Sequence, residues 1–486
     1  MAAITTASSA RFSCALDETP PGYVLANPER AKPAMAAILN GEHIALDGKA
    51  DWLEQAGYPI SSTGTVKITV SETIIEDESL VFHPKTLIAG VGCERGVSSE
   101  EVIALVEKTL DEHKLAQKSL AAIATIDLKA DEKAINEAAA YFKVPLRLFS
   151  AAELAEEAKL LPNPSKIVLA EVGTPGVAEA AAIKAGTLLV EKQKSTRATC
   201  AIGRATCAIG RADAPLDVAN FGMARGRLDI VGIGPGSAEQ RTISVVQALE
   251  GARDWVGYGF YLDLIADLDH GQTEHRFGLG DEEKRVRHAL ELAAIGKNVA
   301  LICSGDAQIY AMAALVFELL ETDGKRAVSD KARRVEIISH PGISALQMAS
   351  ARAGALIGHD FCAISLSDLL TPRAQIEKRL LAAAKGDFVT AFYNPRSKRR
   401  TDLLDKAKQL FLAHRPPQTP VIIASSLGRN GEKVRVVELV DFDPGEIDMM
   451  SIVLFGASKS KAFKRGDGKT MAFTPRGYAS KQEKAQ

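Results

Sequence analysis

The stretch "LDIVGIGPGSAEQRT" (228–242) brings an apolar run onto three glycines, Gly232, Gly234 and Gly236, with Pro235 between the last two. Glycines behind a strand let the backbone approach a ligand closely. A dinucleotide fingerprint would need Gly-x-Gly-x-x-Gly and an acid about twenty residues on, after the next strand. Counted from Gly232, the sixth position is Ser237, and in "EGARDWVG" Asp254 precedes the apolar residues. Pro235 also lacks the N–H that a pyrophosphate would want. The common methyltransferase loop, an acid before Gly-x-Gly-x-Gly, is nearer because of Asp229, yet no acid closes a second strand. A ligand without phosphates suits such a loop, and S-adenosylmethionine is one.

The same pattern recurs. "NVALIC" leads to Ser304-Gly305-Asp306, "VEIIS" to His340-Pro341-Gly342, "FVTAFY" to Asn394-Pro395-Arg396 and "PVIIA" to Ser425-Ser426. Ligands of open parallel sheets gather beyond the carboxyl ends of strands. Five such ends point to a cleft lined by backbone and small polar groups.

The elements that must hold these loops alternate along the chain. Before 211 the sequence reads as strand "TLIAGVGC", helix "SSEEVIALVEKTLDEH" capped by Ser98 or Ser99, and strand "LAAIATI". Helix "DEKAINEAAAYF", strands "LRLFS" and "KIVLAEV" and helix "GVAEAAAIKA" follow. That alternation predicts a parallel sheet with helices on its faces, hence an α/β fold. Residues 1–75 read as a smaller module, 76–210 as an α/β domain, 211–226 as a linker and 461–486 as a mobile polar tail. "RATCAIG" occurs twice in tandem, at 197–203 and 204–210. One copy is expected to complete a sheet; a metal site at Cys200 and Cys207 would want further Cys or His ligands, which the neighbourhood lacks.

At 486 residues, two to four domains are expected. A net charge of −2 argues against nucleic-acid binding, and the absence of a long apolar run against a membrane span. The start of the chain does not read as a secretory signal, and the scattered Cys14, Cys93, Cys303 and Cys362 suit a reduced, cytoplasmic protein.

Over about 226–460 the sequence resembles the tetrapyrrole (corrin/porphyrin) methylase family. "VGIGPGS", "GYGFYLDLI", "SGDAQIYAMA", "HPGISALQMASARAGALIGHDFCAISLSDLLTP" and "AFYNPRSKRR" carry the likeness. The last three mark the branch that methylates carbon 17 of precorrin-3B, or of its cobalt form, with ring contraction to precorrin-4. Gln308 departs from the smaller residues of many members. The resemblance implies two α/β domains, 227–335 and 336–460, with S-adenosylmethionine between them. It assigns cofactor contacts to Pro235, Gly305, Asp306, Ile309, Tyr310, Ser344, Ala345, Tyr393 and Ser425. A tetrapyrrole rich in carboxylates calls for cations, here Arg396, Lys398, Arg399 and Arg400. Ring contraction needs an acid or base, for which His340, His359 and Asp306 stand as candidates, with a helix cap the competing role for Asp306. No metal is implied, and a homodimer is.

Over about 83–205 the chain resembles the C-terminal region of the cobalt-precorrin-5A hydrolase (CbiG-like) family. "GVGCERGVSSEEV", "ATIDLKADE", "VGTPGVAEAAAIKAG" and "LLVEKQKS" carry it, and residues before 75 look like part of that family's middle region. Gly92, Cys93, Arg95, Gly96 and Thr174 are the implied site-lining residues, and Glu94, Asp127 or Glu179 could activate water. That family's glycine-rich Ser-Gly-His segment has no counterpart here. This half is then a truncated lactone hydrolase or a non-catalytic tetrapyrrole carrier. A nucleotide-dependent oxidoreductase is disfavoured by Pro235.

Overall fold

The structure, a computed structural model, describes residues 11–195, 205–397 and 401–478. The chain forms two compact units, one running to Gly226 and one from Arg227, with Ala294–Gly296 and Arg333–Glu336 grouped with the first.

The first unit opens with β1 (Tyr23–Leu25), β2 (Ile44–Asp47), β3 (Val66–Val70) and β4 (Leu80–Pro84), ordered β1-β4-β3-β2. Ile38, Leu53, Ile68 and Phe82 are its fully buried core. The module expected at 1–75 therefore reaches Pro84. All five residues of β4 are buried, so "LVFHP" has no alternation to betray it.

A second sheet follows: β5 (Leu87–Cys93), β6 (Leu120–Ile126), β7 (Leu146–Phe149), β8 (Thr187–Lys194), β9 (Ala205–Arg211) and β10 (Met223–Ala224), ordered β10-β7-β6-β5-β9-β8. Only β5, β6 and β7 are parallel; β8, β9 and β10 pair antiparallel, so the sheet is mixed where a parallel one was expected. The second copy of the tandem repeat is β9, while the first lies outside the described residues. Met223 and Ala224, expected within a linker, pair with β7. Helix Ser99–Glu112 starts where Ser98 accepts the Glu101 N–H, and turns Val102, Leu105, Val106 and Leu110 onto the sheet. Helix Val177–Ile183 packs on β5 and β9 so closely that a methyl at Gly90 would overlap Ala178 O, and one at Gly210 would overlap Ala182 O.

"KIVLAEV" is a helix, Lys166–Val172, and not the expected strand. Ser165 caps it through the Val168 N–H, and Gly173 ends it at φ +79°. None of its residues is buried, so the apolar run never meets a sheet.

The second unit holds β11 (Arg227–Gly232), β12 (Asp254–Tyr258), β13 (Thr273–Phe277), β14 (Asn298–Cys303) and β15 (Glu336–His340), ordered β13-β12-β14-β11-β15. β11 to β14 are joined by parallel pairing. β15 is the edge of this sheet, although a boundary at 335/336 assigns it to the following domain. After β16 (Gly354–Ala355), another sheet uses β17 (Phe361–Ser365), β18 (Val389–Tyr393), β19 (Pro420–Ser425), β20 (Lys433–Glu438) and β21 (Ser451–Phe455), ordered β17-β18-β21-β19-β20. β21 is antiparallel to both β18 and β19, so those two end at the same edge. Phe392, Phe411, Phe442 and Phe455 fill its core, with edge-to-face contacts of 4.9–5.7 Å. The expected tail is ordered through 473: β22 (Lys461–Lys464) and β23 (Thr470–Phe473) form a hairpin that pairs with β16.

Candidate active site

The loops behind β11 and β14 are locked backbone to backbone, and the loop behind β15 packs closely against both. Ile233 N–H donates to Cys303 O (2.9 Å), and Gly234 and Gly305 exchange hydrogen bonds at 3.1 and 2.8 Å. Gly234 and Gly305 have φ +75° and +67°, and a methyl at Gly342 would overlap Gly232 O and Gly305 O. The N–H groups of 233 and 234 are thus committed within the protein, and Pro235 has none. What remains is a close-fitting backbone surface rather than a phosphate nest.

Asp306 braces this junction. Oδ1 accepts the Gln308 N–H at 2.8 Å, and Oδ2 accepts the Gly342 N–H at 3.1 Å. It caps no helix, since the next one begins at Ala313. The unusual Gln308 is exposed, so its bulk is accommodated outside the loop.

A cavity of about 320 Å³ opens here, entirely within the second unit. Pro235, Gly305, Asp306, Ile309, Tyr310, Ser344, Ala345 and Tyr393 line it. Of the expected cofactor contacts only Ser425 does not; its neighbour Ser426 takes that place, at φ +51°. Tyr393 Oη bonds Ser344 Oγ (2.9 Å) and accepts the Leu346 N–H (3.2 Å), fixing the start of helix Ala345–Ala353. The Tyr310 hydroxyl donates to Ala363 O at 2.8 Å. Burial raises the pKa of Tyr261, Tyr310 and Tyr393, so all three phenols stay protonated near neutrality. The volume lies within the range of small-molecule sites, and the lining mixes backbone, phenol, hydroxyl and charged groups.

Tyr258, Tyr261, Glu282, Arg285 and Arg429 also line the cavity and stand outside the site residues expected from sequence. Arg429 Nε donates to Pro235 O (2.9 Å) and a terminal nitrogen to Ser304 Oγ (3.1 Å), while its guanidinium lies 5.0 Å from the Phe260 ring centre. Burial holds its pKa below the ordinary value, partly offset by Tyr261. A signal existed, since "SSLGRNGE" follows directly on a strand end. Arg285 lies on a helix and had none.

Neither histidine candidate lines the cavity. His340 Nε2 is 2.7 Å from Asp229 Oδ1, and Asp229 is also gripped by Arg227, which makes His340 a tie within the sheet. His359 is half exposed and accepts the Asp360 N–H at 2.8 Å. Arg396 turns away as well, donating to Pro444 O at 2.8 Å with Asp405 at 3.8 Å. Lys398, Arg399 and Arg400 lie outside the described residues.

In the first unit, Cys93 ends β5, and Arg95 and Gly96 meet the loop after β6. Arg95 donates to Leu128 O (2.8 Å) and pairs with Asp131 (3.0 Å), while the Gly96 N–H reaches Glu132 at 3.2 Å. Burial pushes the Cys93 thiol up to about 12, against smaller opposing effects of Lys129 and Arg95. Thr174 is fully buried. Glu179 is also fully buried and accepts from Asn163 N (3.2 Å), Asn163 Nδ2 (2.8 Å) and Lys192 N (3.0 Å). Asp127 is buried behind β6.

Residues 227–443 match the family model of the tetrapyrrole (corrin/porphyrin) methylases, and 87–203 match that described as cobalamin synthesis G C-terminus. A probable cobalt-factor III C(17)-methyltransferase of Salmonella typhimurium is 43% identical over 251 residues, 52% of this chain and 99% of that protein. The chain belongs to the tetrapyrrole methylase family. A second relative, the precorrin-3B C(17)-methyltransferase of a Sinorhizobium species, is 38% identical over 52% of this chain and 98% of its own. The chain in the crystal structure of the methyltransferase CobJ is 39% identical, with a TM-score of 0.47 over 51% of this chain and all of that one.

Proposed function

We propose that the second unit transfers a methyl group from S-adenosylmethionine to carbon 17 of precorrin-3B or its cobalt counterpart, with contraction of the ring, in cobalamin synthesis. The observation that carries this reading is the cavity behind Pro235, Gly305 and Ser344, where backbone and phenols meet and the Ile233 and Gly234 N–H groups are already paired within the protein. The cofactor supplies a methyl group already activated for transfer. The protein's share is alignment and exclusion of water. Asp306 holds two loops in register, Tyr393 and Ser344 fix a helix start against the cavity, and Pro235 stiffens the wall. Incubation with labelled S-adenosylmethionine and either precorrin-3B or its cobalt form tests it. Label in the pigment, with one added methyl by mass, is expected. Binding of NAD or ATP in place of S-adenosylhomocysteine would overturn it.

We propose that the first unit is a hydrolase-like module without lactone-opening activity. Burial keeps the Cys93 thiol well above the range of a ready nucleophile, and the buried Glu179 carboxylate is engaged by Asn163 and the Lys192 N–H, which disfavours either as the group that opens a lactone. Supplying cobalt-precorrin-5A to the full chain should leave its lactone closed.

A further inference from the structure

We propose that Arg285 and Arg429 form a carboxylate-binding subsite in the cavity wall. This rests on the methyltransferase reading only for the ligand that brings the carboxylate. Arg285 is 3% exposed, yet no carboxylate lies within ion-pair distance of it among the described residues. One terminal nitrogen donates to Gly278 O (2.8 Å), the other reaches only Met312 Sδ (3.3 Å), and Nε has no partner. Sulfur is a poor acceptor, and a buried guanidinium without an anion is costly. Arg429 shares the cavity and, among the described residues, meets a carbonyl, a hydroxyl and a ring face but no carboxylate. The two acids on the same wall do not fill the gap: Asp306 is committed to two amides, and Glu282 accepts the Gly280 N–H at 3.2 Å. Tyr261 feels both guanidinium charges, and its protonated phenol offers a further donor. The anion is either the carboxylate of the cofactor's amino acid or an acidic arm of the macrocycle. Arginine's fixed fork of donors suits both.

The test uses the full chain, with S-adenosylhomocysteine followed by calorimetry and uroporphyrin, a stable polycarboxylate tetrapyrrole, followed by fluorescence quenching. Arg285→Gln and Arg429→Gln should each weaken one of the two ligands by about tenfold or more, with Arg285→Lys recovering part of the loss. Loss confined to S-adenosylhomocysteine assigns the cofactor's carboxylate; loss confined to uroporphyrin assigns the macrocycle. The unaltered protein should also reject the methyl ester of the affected ligand, which keeps the question decidable if a variant does not fold. Variants that bind both ligands normally, or an unaltered protein indifferent to esterification, overturn the subsite. Failure of S-adenosylhomocysteine to bind the unaltered protein instead overturns the methyltransferase reading, while the uroporphyrin comparison still judges the subsite.

Discussion

Asp306 accepts one N–H from its own loop and one from the loop behind β15, so its charge acts through the cavity's shape. Asp306→Ala should weaken S-adenosylhomocysteine roughly 10- to 100-fold, as loss of hydrogen bonds to a charged group implies, and Asp306→Asn less, by calorimetry. His340→Gln should leave kcat and KM of the folded enzyme unchanged while lowering unfolding free energy by about 1–3 kcal/mol, because Asp229 loses a partner. Denaturant melts beside initial rates check this. Residue types at strand ends were legible because small, polar and glycine residues follow apolar runs there. His340 misled because a histidine after a strand looks the same whether it faces a cleft or an aspartate on the next strand. Arg285 was hidden because its meeting with Gly278 and Met312 exists only in the folded unit.

At the scale of elements, close approach explains what alternation could not show. The helix at 177–183 rests on glycines of β5 and β9, so Gly210→Ala should destabilise the first unit by about 1–3 kcal/mol or more, measured by thermal melting. Strands with helices between them were readable from periodicity and caps. "KIVLAEV" was not, because an apolar heptad fits either structure until something covers it. A polar chain crosses the edge of the β11–β15 sheet: His288 Nε2 to His275 Nδ1 (2.9 Å), His275 Nε2 to Asp254 (2.8 Å), and Lys297 to Asp254 (3.0 Å). Burial, then His275, depresses the His288 pKa. For Asp254 burial acts upward, but hydrogen bonds from His275 and Lys297 outweigh it and hold the carboxyl low. Both groups bind protons more weakly when folded, so their stabilisation is complete above the unfolded values and lost as pH falls. The histidine's share goes below about 6.5 and the aspartate's below about 4. Melting temperature should drop between pH 7 and pH 5, and His288→Leu should flatten that slope.

For the molecule as a whole, the two units differ in what their polar groups are free to do. The cavity of the second keeps guanidinium and phenol groups facing it, whereas Glu179 and Glu132 of the first are tied into its own loops. Among the described residues no helix is long and apolar enough to cross a membrane. A single preparation given both precorrin-3B and cobalt-precorrin-5A should therefore return a methylated product from the first and unchanged starting material from the second, by mass. Late placement of β21 has its own consequence. This strand is the middle rung of its sheet, and Met449 to Ile452 wall the cavity beside it, yet β18 and β19 are both synthesised earlier. On the ribosome, half-made sheets must wait with a gap at their centre until residues 451–455 leave the exit tunnel. A polypeptide cut before residue 451 lacks this middle strand and part of the cavity wall, and is expected to transfer no methyl group in the labelled-cofactor assay.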